Sequence, residues 1–174
     1  MSPIGTTWKL DDSLGAIRVE QWYDTDIDDL WEACTSPERL ARWIAEVSGD
    51  LREGGTIHAV FTSTWSGPLI VEVCDPPHRL VLREGPGTEE ALIEAWLTAD
   101  GPRTRLVVEQ RGLPLDGIRA HGAGWHAHLD DLGRSLAIDG PVHVHGWSDE
   151  SPAPAWRARW NELAPSYGDE PAQS

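Results

Sequence analysis

Five consecutive β-rich segments between Thr56 and Leu113 constrain the fold of this chain more than any other feature. The last four of them read PLIVEVCDPP, HRLVLREG, ALIEAWLTADG and TRLVVEQRG. Each segment is closed by glycine, proline or aspartate, so the links are short and the series predicts an antiparallel meander. The earlier segment AIRVEQWY alternates in the same way and predicts a further strand. Together they predict one curved sheet of six to seven strands.

Helical periodicity is found on both sides of the meander. Directly after the first strand, TDIDDLWEAC and SPERLARWI predict two short helices. After the meander, Trp125, Leu129, Leu132 and Leu136 recur every three or four residues and predict one long amphipathic helix. The histidine-rich stretch HGAGWHAHLDD is expected at the start of this helix, with its two aspartates mostly facing solvent. Strands followed by one long helix indicate an α+β fold in which the helix covers the concave face of the sheet.

Composition divides the chain into three parts. Residues 1–14 are expected to form a polar leader, and residues 15–138 the folded domain. Residues 139–174 begin with a Pro/Gly-rich linker and continue into AWRARWNELAPSYG, which predicts a short helix with Trp156, Trp160 and Leu163 on one side. That apolar side favours docking, either on the chain's own domain or on a second copy in a homodimer.

The net charge of −15 argues against two classes of partner. Nucleic acids and anionic membrane surfaces attract basic faces, so neither is expected to bind this chain. The N-terminus has no apolar targeting segment, and the two widely spaced cysteines suggest reduced thiols, which together predict a cytoplasmic protein. Ten tryptophans against one phenylalanine suit the wall of a cavity, because the indole ring is large, apolar and carries one polar N–H.

The order of these elements resembles the START-like (SRPBCC) superfamily, which has the helix-grip fold, and within it the AHSA-like branch of activators of a heat-shock-protein ATPase. The resemblance covers about residues 14–138. The segments that carry it are DDLWEACTSPERLARWI (28–44), GDLREGGTIH (49–58), VEVCDPPHRLVL (71–82), TRLVVEQRGL (104–113) and GWHAHLDDLGRSL (124–136). It implies a cavity between the sheet and the long helix, which in many members binds apolar or aromatic molecules. Some relatives are cyclases or aromatases.

Candidate ligand-binding residues follow from the face of a strand on which a side chain lies, from the apolar side of each predicted helix, and from this resemblance. Alternation in TRLVVEQRG places Leu106, Val108 and Gln110 on the inward face. The resemblance implies that Trp43 lies near the cavity mouth, where packing and ligand contact remain equal alternatives. The full set of candidates is Trp43, His58, Trp65, Leu106, Val108, Gln110, Trp125 and His128.

Some orientations remain open at this point. His58 shares a strand face with Val60 and is expected to point inward on that basis. Gln110 needs a hydrogen-bond partner inside the cavity, and this could be nearby backbone, water or a ligand. Trp96 and Glu94 face inward or outward depending on the length of the hairpin loop at ADGP, because a shift of one residue reverses the face.

The sequence carries no motif for catalysis or metal binding. There is no nucleophile elbow, phosphate-binding loop, HExxH or paired CxxC, so no catalytic residue, metal or cofactor is predicted. His126 and Asp130 have helical ligand spacing, but too few partners to form a metal site. The leading hypothesis is a small-molecule binder. The alternatives are an enzyme of the cyclase, aromatase or hydrolase type on the same fold, and a co-chaperone-like interaction module, although a chaperone partner is not expected.

Overall fold

One antiparallel sheet of eight strands organises the computed structural model, which describes residues 4–85, 91–144 and 146–168. Its strands are β1 (Gly5–Lys9), β2 (Leu14–Tyr23), β3 (Ala45–Gly49), β4 (Thr56–Phe61), β5 (Ser66–Asp75), β6 (Arg79–Glu84), β7 (Leu92–Asp100) and β8 (Arg103–Pro114). The helices are α1 (Ile27–Thr35), α2 (Pro37–Trp43), α3 (Ile118–Ile138) and α4 (Pro154–Leu163), and a 3-10 helix spans Ala164–Tyr167. Parts of the expected leader (1–3) and tail (169–174) lie outside the described residues.

The helix-grip architecture predicted from the sequence is confirmed, with eight strands where the sequence predicts six to seven. The strand order is β1-β2-β8-β7-β6-β5-β4-β3, so β2 pairs with β8 and the meander runs outward from that pair. Strand β1 lies within the expected polar leader and pairs with β2 from Gly5 to Lys9. Strand β3 follows α2 directly and pairs with β4. Both additional strands are five residues long and lie at the sheet edges, where short strands are common.

Strand register places the side chains of β7 and β8 on definite faces. Asp100 pairs with Arg103, so the hairpin loop has two residues, and Leu97 pairs with the buried Leu106 on the inner face. Trp96 and Glu94 therefore lie on the outer face. The Glu94 carboxylate there accepts a hydrogen bond from Arg79 Nε at 3.0 Å. Glu94 is thus removed from the groups that could act inside the cavity.

Helix α3 crosses the concave face and is the centre of the hydrophobic core. Leu129 and Leu132 on α3 are fully buried, and Tyr23 on β2 donates its hydroxyl hydrogen bond to the Leu129 carbonyl at 2.7 Å. The helix begins at Ile118, earlier than the sequence predicts, so HGAGWHAHLDD forms its middle rather than its start. The part of the chain that is described contains no helix long and apolar enough to cross a membrane.

The C-terminal segment folds back onto the opposite side of α3. Trp156, Leu163 and Tyr167 pack against Ala123 and Ala127 in a second hydrophobic cluster. Docking on the chain's own domain, one of the two alternatives for the tail, is therefore what the structure shows. As a result every residue of α3 from 122 to 129 is buried.

A buried contact between Asp131 and His143 also fastens this segment. Asp131 is fully buried, although its sequence position suggested a solvent-facing carboxylate. Its carboxylate accepts from Arg134 on the same helix and lies 3.0 Å from Nε2 of His143, which belongs to the linker before α4. The tail, rather than solvent, covers this side of the helix, and the sequence pattern of α3 alone does not reveal that.

Candidate ligand-binding cavity

A cavity of about 570 Å³ lies between the sheet, α3 and α4. The sheet contributes Ile93 of β7 and Gln110 of β8, and the turn from β4 to β5 closes one side. Aromatic and imidazole rings dominate the remaining walls. They belong to Phe61, Trp65, Trp125, His128, Trp156 and Trp160.

His128 is the point at which rings from three elements meet. Its ring centroid lies 5.9 Å from that of Phe61 on β4, 5.6 Å from that of Trp125 on α3 and 5.4 Å from that of Trp156 on α4. The first two contacts are edge-to-face, a favourable arrangement of aromatic quadrupoles. Burial lowers the pKa of His128 to about 3, while Asp131 raises this pKa and His143 lowers it by smaller amounts. The imidazole is therefore neutral at physiological pH, and the wall it forms is uncharged.

Gln110 finds its partner in another cavity-lining side chain. The indole Nε1–H of Trp125 donates to the Gln110 side-chain oxygen at 2.7 Å, so the backbone bond considered from the sequence is not the one formed. This bond orients the amide, because the oxygen must face the indole. Within the described residues the amide nitrogen of Gln110 has no acceptor. One hydrogen-bond donor is thus held in the cavity wall by a rigid ring.

Charged groups lie at the edge of the cavity. Glu84 follows Leu80 and Leu82 on the inner face of β6, and burial raises the pKa of its carboxyl, an effect that the nearby His121 opposes. His121 and Arg157 line the same cavity but are exposed. The Arg157 guanidinium lies over the Trp160 ring at 5.2 Å. Among the described contacts no hydrogen bond joins Glu84 to His121, so the edge does not contain a preassembled acid/base pair.

The structure brings together Trp65, Gln110, Trp125 and His128, four of the predicted site residues. Leu106 and Val108 do face inward but are buried in the core, away from the cavity lining. Trp43 is 4% exposed and donates its N–H to the Ala33 carbonyl, which makes it a packing residue that holds α2 against α1.

The inward orientation predicted for His58 is wrong. On β4 the buried residues are Ile57 and Ala59, which face α3, while His58 is exposed on the outer surface. Both phases of TIHAVF offer apolar side chains. The structure shows that the phase ending at Phe61 faces inward, because Phe61 packs against His128 and Trp65.

The contribution of α4 to the cavity is the main feature missing from the sequence interpretation. The apolar side of the tail helix predicted docking, but not that Trp156 and Trp160 would form a cavity wall. Glu84 was also missed, although its position two residues after Leu82 signals an inward carboxylate on β6. Phe61 could have been found in the same way, once the phase of β4 was known.

The described residues contain no group of three or more His, Cys, Asp or Glu side chains that could hold a metal. The pair with helical ligand spacing, His126 and Asp130, is 3.7 Å apart and is engaged by the tail. His126 Nδ1 lies 2.9 Å from the Tyr167 hydroxyl, and Asp130 pairs with Arg159 at 2.7 Å. These two residues therefore fasten the tail to α3.

Comparison with solved structures shows likeness over most of the chain. CalU16 from Micromonospora echinospora is 27% identical with a TM-score of 0.65, and the match covers 97% of this chain and 98% of CalU16. DynU16, from the dynemicin biosynthetic locus, is 24% identical with a TM-score of 0.66, over 79% of this chain and 56% of that protein. The protein encoded by gene BPP1335 of Bordetella parapertussis is 23% identical with a TM-score of 0.64, over 97% and 92%. The last two likenesses concern the fold alone.

Because the match to CalU16 covers 97% of this chain, it includes the C-terminal segment that carries α4. No curated protein matches the chain. The family model described as "Activator of Hsp90 ATPase homolog 1-like protein" matches residues 24–137, which include both short helices, the meander and nearly all of α3. Since this is more than half of the sequence, the chain belongs to the family of Activator of Hsp90 ATPase homolog 1-like proteins.

Proposed function

We propose that the protein binds a small apolar or aromatic molecule in the cavity between the sheet, α3 and α4. The observation that carries this proposal is the ring-lined wall, to which the β4–β5 region, α3 and α4 each contribute aromatic side chains. The volume of about 570 Å³ is within the range of small-molecule sites, roughly 300–1,000 Å³. Burial of apolar surface and edge or face contacts with the rings would supply the affinity.

The experiment is a titration with fluorene, a flat apolar probe, followed by tryptophan fluorescence and isothermal calorimetry. Ile93 faces inward and lines the cavity, so Ile93→Trp should fill the space and abolish binding. Trp22→Phe is the matched control, since Trp22 lies on the outer face and is 39% exposed. Binding that survives Ile93→Trp unchanged would exclude this cavity as the site. Native mass spectrometry of freshly purified protein would identify a retained ligand directly.

A second candidate function is catalysis, and Glu84 is the observation that favours it. A half-buried carboxyl with a raised pKa at a cavity wall is suited to general acid/base chemistry, provided that a bound molecule lies within reach. The test is to incubate a ligand recovered from the protein with the wild type and with Glu84→Gln, and to follow the ligand by mass spectrometry. A ligand that remains unchanged with the wild type would remove this candidate.

The proposal assigns the protein a small-molecule partner in the cytoplasm. The unpaired thiols of Cys34 and Cys74 are in line with a reducing compartment. The acidic composition supports the exclusion of nucleic acids and anionic membranes as partners. Neither a chaperone partner nor a homodimer belongs to the proposal, because the apolar side of the tail is already occupied by α3.

A further inference from the structure

We propose that the cavity selects an uncharged, planar molecule that carries a hydrogen-bond acceptor, which the indole N–H of Trp156 and the amide N–H groups of Gln110 bind. This inference rests on the proposed function, and it names the class of ligand. It depends on α4, which lies outside the residues matched by the family model.

The first donor is the indole nitrogen of Trp156. This side chain is 5% exposed, and its Nε1 is the only buried indole nitrogen in the described residues that lacks a hydrogen-bond partner. Other indole N–H groups donate to protein oxygens, namely those of Trp22, Trp43, Trp125, Trp147 and Trp160. Buried donors in native proteins are nearly always paired. An unpaired donor on a ring that lines a cavity indicates an acceptor that arrives with a ligand.

The surroundings of Trp156 place it against the cavity rather than deep in the core. Its ring lies 5.4 Å from that of His128, tilted by 31°, and both rings line the cavity. Its Cζ2 would lie 3.4 Å from a Cβ added at Gly124, and Gly124 also lines the cavity, so this edge of the ring lies where α3 meets the cavity.

The second donor is the amide nitrogen of Gln110. Its oxygen is occupied by Trp125 Nε1–H at 2.7 Å, so the nitrogen carries the free hydrogen-bonding capacity of this side chain. Gln110 is 9% exposed and lines the cavity, so an acceptor that lies inside the cavity can satisfy it. The two donors come from different walls, β8 and α4, and a ligand between them would join the tail to the sheet.

The charges around the cavity favour an uncharged ligand. The ring in the middle of the wall, His128, is neutral, and the groups behind it are the paired Asp131 and His143. The charged or titratable groups that line the cavity are Glu84, His121 and Arg157, at its edge. An ion held between rings would lose its hydration without gaining a buried counter-charge. The rings that line the cavity favour a planar aromatic molecule, because aromatic rings gain most from stacked and edge contacts with one another.

Fluorene and 9-fluorenone form a matched pair of probes, since both are planar tricycles and they differ by a CH₂ in place of a carbonyl. Calorimetric titration of the wild type should show about tenfold tighter binding of fluorenone, the effect of one or two good hydrogen bonds. Trp156→Phe keeps the ring and removes the N–H, and should abolish most of that preference. Trp22→Phe is the control, because Trp22 lies on the outer face and its N–H already donates to the Asp100 carboxylate, so the preference should persist.

A second variant tests the other donor. Gln110→Glu keeps an oxygen for Trp125 and removes the amide N–H groups, so it should also reduce the preference for fluorenone. Equal affinity of the wild type for both probes would overturn this inference while leaving the proposed function intact. Failure of both probes to bind would overturn the proposed function itself. Fluorene-9-carboxylate binding as tightly as fluorenone would overturn the requirement for an uncharged ligand.

Discussion

Two glycines on the tail-facing side of α3 give a test of the packing with variants of identical composition. Gly122 and Gly124 are both buried in the helix interior. Replacing a glycine by alanine at such a position stabilises a helix by up to about 1 kcal/mol, provided that the new methyl group has room. At Gly124 the added Cβ would meet Trp156 at 3.4 Å, an ordinary contact. We therefore expect Gly124→Ala to raise the free energy of unfolding by up to about 1 kcal/mol.

Gly122 is different because Tyr167 lies closer. An added Cβ would be 3.1 Å from both Cδ1 and Cε1 of that ring. Tyr167 cannot move freely, since its hydroxyl lies 2.9 Å from His126 Nδ1 and its carbonyl accepts from Arg119 at 2.7 Å. Overpacking of this kind costs about 1–3 kcal/mol, which outweighs the gain in helix propensity. Gly122→Ala should therefore leave the free energy of unfolding unchanged or lower it by up to about 2 kcal/mol.

Urea unfolding followed by tryptophan fluorescence would measure both variants, and limited proteolysis would show whether the 3-10 helix has been displaced. Gly133→Ala serves as a control away from the tail, because its added Cβ would meet Tyr23 at an ordinary 3.6 Å. If Gly122→Ala proves as stable as Gly124→Ala, with the tail equally resistant to protease, then Tyr167 is not packed against α3 as described.

Two further predictions concern buried histidines. Removing His143 leaves the buried Asp131 with Arg134 as its remaining side-chain partner, so His143→Ala should lower the free energy of unfolding by about 2 kcal/mol, against no change for the exposed Val144→Ala in the same urea assay. A result for His143→Ala within error of the control would show that the contact between Asp131 and His143 does not fasten the tail. The pKa of His128 falls from 6.5 in the unfolded chain to about 3 in the folded one, so its contribution is complete above pH 6.5 and is lost as the pH falls toward 3. Between pH 7 and pH 5 this should lower the stability by about 2 kcal/mol, and His128→Gln should lack that part of the decrease, which a pH series of urea titrations would detect.

The element order of the domain was predictable because most segments that keep one hydrophobic periodicity are long and have clear ends. Strand β8 shows this best, since Leu106, Val108 and Gln110 alternate without ambiguity and all three face inward. Strands β1 and β3 were not predictable from local pattern. Each has five residues, three of them exposed, and each exists because a neighbouring strand offers free backbone groups at a sheet edge.

The candidate site was predictable only where the sequence shows clearly which face of a strand, or which side of a helix, is apolar. The prediction for His58 was wrong because it relied on Val60 alone, whereas Ile57, Ala59 and Phe61 form the more apolar face of β4, and this face packs toward His128. The position of Trp156 in the cavity wall was not predicted, for another reason. Its helical stripe predicts burial, but the surface that buries it is set by small residues of α3 and by the Asp131–His143 pair, which are distant in sequence.

The position of α4 at the far end of the chain affects how the cavity is assembled during synthesis. The sheet and α3 leave the ribosome first, and β2 can pair with β8 before the tail exists. Until α4 emerges, the cavity has no wall on the side that Trp156 and Trp160 later form. A nascent chain halted after α3 would thus present an open apolar surface, and the last helix covers part of this surface with aromatic side chains.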